Sequence, residues 1–171
     1  MAERAPLSVL GHVLPGEMTP RARAYMVICA FRHLLIGIAC FLAPQGFRSE
    51  TYEGIKNLLP MPPDTAIAGW GGMFLAAGIF AAAAAWLGRE GEARWALLAS
   101  VLTTSLWAGG LTVYVVTLWC TTGDLINPTG PLVWTALCLK DVTMLRSPLR
   151  NPFEALVRQI GDEVEAKQTG R

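Results

Sequence analysis

The chain has 171 residues, 53% hydrophobic and only 16% charged, with a formal net charge of +1 and a mean hydropathy of +0.40. A soluble domain carries nearer a quarter charged residues and a nucleic-acid-binding protein a strongly basic face, so the composition argues against both. Four apolar stretches, 24–43, 66–87, 95–119 and 130–145, dominate instead. A helix needs about 20 mostly apolar residues to cross about 30 Å of hydrocarbon. The expected fold is therefore all-α: a polytopic membrane protein, a four-transmembrane-helix bundle with a short amphipathic cytoplasmic C-terminal helix. No segment outside the spans is long enough for a second domain.

Residues 1–23 read as a cytoplasmic lead. With Pro15, Pro20, mixed charge and no apolar core before the first span, they do not form a secretory signal. Leu7, Val9, Leu10, Val13 and Leu14 can touch the membrane surface, but a disordered lead is the simpler reading.

The first span, 24–43, contains Arg32 and His33. At 1.5 Å per residue from Ala24, Arg32 lies about 12 Å inside the cytoplasmic boundary. A charge at helix centre costs about 2.5–3.5 kcal/mol, part of it relieved by snorkelling. Asp141, about five residues before the cytoplasmic end of the fourth span, is at comparable depth and is the expected ion-pair partner. Lys140 beside it can snorkel to the surface. The plainer alternative is a first span shifted outward with Arg32 snorkelling. His33 shares its face with Ala30, Gly37 and Cys40, a small-residue stripe that suggests a helix contact. Its imidazole is expected on a hydroxyl such as that of Thr103 or Thr104.

The connection Pro44–Thr65 holds Pro44, Pro60, Pro62 and Pro63. Between them Ser49–Leu59, with Tyr52, Ile55, Leu58 and Leu59, fits a short helix lying on the membrane. Trp70 and Trp86 bracket the second span and Trp95 and Trp119 the third, at the level where amphipathic rings prefer the headgroups. The short charged turn Gly88–Arg94 makes these two spans an antiparallel hairpin. Ala68, Gly72, Ala76, Gly78 and Ala81–Ala85 in the second span, and Ser105, Gly109 and Gly110 in the third, allow close helix approach within one chain or between copies. The fourth span, 130–145, covers only about 24 Å and opens on Pro131, which the first helical turn tolerates.

The tail, 146–171, begins a helix over 152–166 at Asn151-Pro-Phe-Glu154, a variant capping box. Phe153, Leu156, Val157, Ile160 and Val164 then share one helical face. Its polar side is acidic as well as basic, so a protein partner or self-association fits better than a lipid surface, with docking on its own bundle as the alternative. Arg21, Arg23, Arg89, Arg94, Arg146 and Arg150 fall on one side of the membrane, against Arg48 and Lys56 on the other. Both termini are expected to face the cytoplasm, in the cell's inner membrane.

Enzymatic signatures are missing from the sequence: no HExxH, no CxxC, no Gly-rich phosphate loop and no intramembrane carboxylate pair. No cofactor or metal site is expected, and the chain does not read as an enzyme. The four cysteines, Cys29, Cys40, Cys120 and Cys138, read as packing residues, although Cys40 and Cys120 both fall near the outer surface, where a disulfide is conceivable.

The run Phe47-Arg48-Ser49, Tyr52, Leu58-Leu59-Pro60 and Trp70-Gly71, leading into a Gly/Ala-rich span, resembles small four-span membrane proteins of actinobacterial phages. Some of that group lie in lysis cassettes and are holin-like. The resemblance covers residues 20–120 and rests on pattern rather than a catalytic motif. It implies oligomerisation in a host inner membrane and timed permeabilisation. Holins often end in a strongly charged cytoplasmic tail, whereas the charges of this tail nearly balance. The alternative expectation is a membrane-embedded accessory or scaffold subunit binding a partner through its C-terminal helix; a small transporter fits less well, without several intramembrane charges or an internal repeat.

Overall fold

The computed structural model describes residues 18–123, 127–147, 149, 160 and 164, the side chain of Asp64 excepted, and all regular structure among them is helical. Helix α1 runs Pro20–Leu42, followed by two 3-10 turns (Pro44–Phe47 and Glu50–Tyr52) and the single-turn α2, Glu53–Lys56. Then come α3, Pro63–Leu87, α4, Glu90–Thr122, and α5, Thr129–Arg146. Three segments are long and apolar enough to cross a membrane: Pro20–Leu42, Thr65–Leu87 and Glu90–Thr122. The expected fourth span corresponds to α5, whose 18 residues include Lys140, Asp141 and Arg146; by composition it does not join those three.

Local chemistry sets the helix ends. Thr19 caps α1 by accepting the Ala22 N–H at 3.2 Å, and Pro20 fills the first turn, where no donor is needed. Helix α3 stops at Gly88, whose φ of 69° suits a residue without Cβ. Since α4 already begins at Glu90, the hairpin turn is only Gly88 and Arg89, tighter than the expected Gly88–Arg94. Glu90 and Glu92 sit in the first turn of α4, where the helix dipole favours carboxylates. They pair with Arg94 (2.9 Å) and Arg89 (3.6 Å).

Helices α1, α3 and α4 each bury one face. In α1 it is Ala22, Tyr25, Met26, Cys29, Ala30, His33, Gly37 and Cys40, the 3.6-residue period expected of a helix with one face in a bundle. The closest pairing is α1 with α3. A Cβ added at Gly37 would sit 2.7 Å from the Leu75 side chain, and one at Gly78 2.9 Å from that of Leu34, so small residues set this backbone approach. Helix α5 lies antiparallel along α4, with Arg94 donating to the Leu145 carbonyl (3.2 Å), Cys138 beside Ser105 (3.0 Å) and Trp134 beside Trp107 (5.7 Å between centroids). It buries only Pro131 and Asp141.

Several expectations are corrected here. Segment 49–59 turns Ile55 into the bundle rather than outward: Ile55 is fully buried and Gly54 lies against the Gly110 backbone of α4, where a Cβ would collide with the carbonyl oxygen. Trp70 is no interfacial ring: it is 1% exposed and donates its indole N–H to the Ile55 carbonyl at 2.8 Å. Trp86, Trp95 and Trp119 do face outward. All four cysteines are free, Cys40 buried and Cys120 exposed, so no disulfide joins them.

Candidate functional site: a polar hub shared by three helices

Asp141 of α5 is fully buried and gathers donors from two other helices. Its Oδ2 accepts from Arg32 Nη2 at 2.5 Å and from the Ser100 hydroxyl of α4 at 2.8 Å. Its Oδ1 accepts from the Tyr25 hydroxyl at 2.5 Å and lies 3.7 Å from the Cys29 thiol. Tyr25, Cys29 and Arg32 fall at i, i+4 and i+7, on one face of α1. The Arg32 side chain is 16% exposed. Arg32 and Asp141 are thus brought together as the expected ion pair.

The remaining members are tied to the same point. His33 Nδ1 lies 2.8 Å from the Cys29 carbonyl, which can only accept, so Nδ1 carries a proton and a neutral ring offers Nε2 as an acceptor. Ser100 Oγ is 3.3 Å from that Nε2 and 2.8 Å from Asp141. With one proton to give, Ser100 serves either the imidazole or the carboxylate at a time. The partner of His33 is therefore Ser100 and not, as expected, Thr103 or Thr104, whose hydroxyls turn back to the Ala99 and Ser100 carbonyls of their own helix. Lys140 faces outward, its Nζ 5.4 Å from the centre of the Tyr25 ring.

Next to the hub along the bundle lies an aromatic cage. Trp107 is fully buried and surrounded by Phe47, Tyr52, Trp70, Phe74 and Trp134, with centroids 5.1–6.2 Å away. The ring of Phe74 also meets that of His33 at 5.6 Å, so the cage and the hub are contiguous. Edge-on and tilted pairs of this kind contribute about 0.5–1.5 kcal/mol each beyond area burial.

Chemically the hub sets a buried carboxylate against a guanidinium. The carboxylate is shielded on all sides, and it is held by a cation and three weaker donors. Among the described residues no group of three or more His, Cys, Asp and Glu side chains is arranged to hold a metal ion. Sequence reasoning singled out Arg32, His33, Lys140 and Asp141 but not Tyr25, Cys29 or Ser100. The i, i+4, i+7 spacing on α1 was the available signal for the first two; nothing in the sequence marked Ser100 from the other hydroxyls of α4. Of the expected tail face, Phe153, Leu156 and Val157 lie outside the described residues, while Ile160 and Val164 are helical and exposed.

Comparison with protein-family models, with curated proteins and with solved structures finds no match to this chain.

Proposed function

We propose that the protein is a four-span membrane protein of a cell's inner membrane, with both termini cytoplasmic, that acts by associating with copies of itself and permeabilising the bilayer in the manner of a holin. The fourth crossing is supported by α5 running antiparallel along α4 at matching depth, with Asp141 neutralised where the pair would lie in hydrocarbon. Self-association is supported by one observation above all: a patch of two small residues on α3 is left outward. Gly72 has nothing within 4 Å of an added Cβ, and Gly72 and Ala76 are exposed one turn apart, with the larger Ile79 next on the same face. Close backbone approach between helices in lipid uses such faces, while the ionisable groups of the hub are already spent inside the chain.

Controlled expression in bacteria tests the reading. Membrane potential should collapse abruptly once the protein accumulates, and Gly72→Leu with Ala76→Leu should delay or abolish the collapse at unchanged protein level. Steady growth and an intact potential at high expression would refute it. The second reading, a scaffold subunit that captures a protein through its tail, is favoured by the exposure of Ile160 and Val164 four residues apart. It predicts that expression leaves the membrane potential untouched.

A further inference from the structure

We infer that α5 is a dependent span: it enters the membrane only because α1 presents Arg32, with Tyr25, to its Asp141, so a single inter-helix contact decides on which side of the membrane the C-terminal tail ends. The inference rests on the four-span reading above and adds to it the cause of the fourth crossing.

The argument starts from α5 taken alone. Among the described residues it is the one long helix that lacks the apolar character to cross a membrane by composition, and an Asp five residues inside the end of a crossing helix is costly to insert without a partner. Yet Asp141 is the residue that α5 buries, together with Pro131, while Leu132, Val133 and Leu139 face outward. Its apolar packing, Trp134, Met144 and Leu145 against the core, does nothing to neutralise that carboxylate.

The groups that make Asp141 tolerable come from elsewhere. Ser100 of α4 gives a hydroxyl, and α1 gives the phenol, the thiol and the cation. Packing along α4 therefore supplies α5 with a neighbour but not with a counter-charge. That comes from α1, the first span to be made, to the last one. A hub reaching from first span to last lets the chain complete its topology only after α1 is in place. Without Arg32, α5 would keep its carboxylate in water, and the tail would stay on the side where α4 ends.

The test uses the full chain, with an N-glycosylation acceptor appended after Arg171, translated in the presence of microsomes. There, sugar is added only to a tail that has crossed to the lumen. The wild-type tail should remain unmodified, Arg32→Leu should leave the majority of chains glycosylated, and Arg32→Lys should remain mostly unmodified. Arg32→Leu combined with Asp141→Leu should return the tail to the unmodified state, because α5 then carries no charge that needs α1. An unmodified tail in Arg32→Leu would overturn the inference while leaving the four-span reading intact. Glycosylation of the double variant at the level of Arg32→Leu would overturn it too, since the defect would then lie in α1 and not in an uncompensated Asp141. A glycosylated wild-type tail would instead overturn the four-span reading itself.

Discussion

Arg32→Leu isolates the worth of the hub. In those Arg32→Leu chains whose α5 has nonetheless inserted, Asp141 would keep the Tyr25 and Ser100 hydroxyls at 2.5 and 2.8 Å but lose the guanidinium at 2.5 Å. Removing one member of a buried ion pair costs about 3–5 kcal/mol, because the other charge is left uncompensated. For a chain of this length each kcal/mol moves the thermal midpoint by about 2–4 °C, so a fall on the order of 10 °C is expected. The reciprocal change, Asp141→Asn, should cost less. The amide still accepts from Tyr25, and Arg32, 16% exposed, can turn its charge toward the interface; about 1.5–3 kcal/mol covers the lost charge-assisted bond. The double variant Arg32→Leu, Asp141→Leu should recover most of the Arg32→Leu loss, because neither charge is then left buried alone. Tryptophan fluorescence of the detergent-solubilised protein during heating reads all four midpoints. A midpoint for Arg32→Leu within measurement error of wild type, or one above that of Asp141→Asn, would refute the reasoning.

Three further outcomes follow from the packing. Gly54→Ala should be more damaging than Gly110→Ala, because a Cβ at Gly54 meets the Gly110 carbonyl oxygen whereas one at Gly110 meets only side chains, the movable end of Leu58 (2.6 Å) and the Cγ2 methyl of Ile55 (2.9 Å); the yield of monodisperse protein in detergent ranks them. Trp70→Phe removes the indole bond to the Ile55 carbonyl, worth about 0.5–1.5 kcal/mol net, and should loosen segment 49–59. Trypsin cleavage after Lys56, which is buried and paired with Glu53 at 2.6 Å in the wild type, should then quicken. Ser105→Cys puts a second thiol next to Cys138, where the present separation of the two side chains is 3.0 Å, so mild oxidation should staple α4 to α5 and protect a protein cleaved between them from separating on a denaturing gel.

The long helices were legible because their signals are local: apolar runs of bilayer length, Pro at the first turn, Gly at the end. The pairing of Arg32 with Asp141 could be foreseen by counting helix rise along two antiparallel spans. What the sequence did not disclose depends on rotation and on the path of a loop. Trp70 and Trp107 look alike in a hydropathy profile, and a Trp at the start of a span reads as interfacial. Only the inward fold of segment 49–59 against Gly110 turns Trp70 into an interior ring with the Ile55 carbonyl as its partner. The choice of Ser100 over Thr103 and Thr104 for His33 likewise follows from the facing of α4 against α1. A threonine on a helix can satisfy itself on its own backbone, as Thr103 and Thr104 do here, leaving the serine one turn earlier to reach across.

Which side of the membrane holds each end of the wild-type chain tests the central claim most directly. Cysteines placed singly before Pro20 and after Arg171 in a background lacking the four native ones can be labelled with an impermeant maleimide, in intact cells and then in permeabilised ones. Four crossings, with Asp141 held inside the bundle by Arg32, predict that both ends stay unlabelled until the inner membrane is opened. Labelling of the C-terminal cysteine in cells whose N-terminal one remains protected would contradict the account.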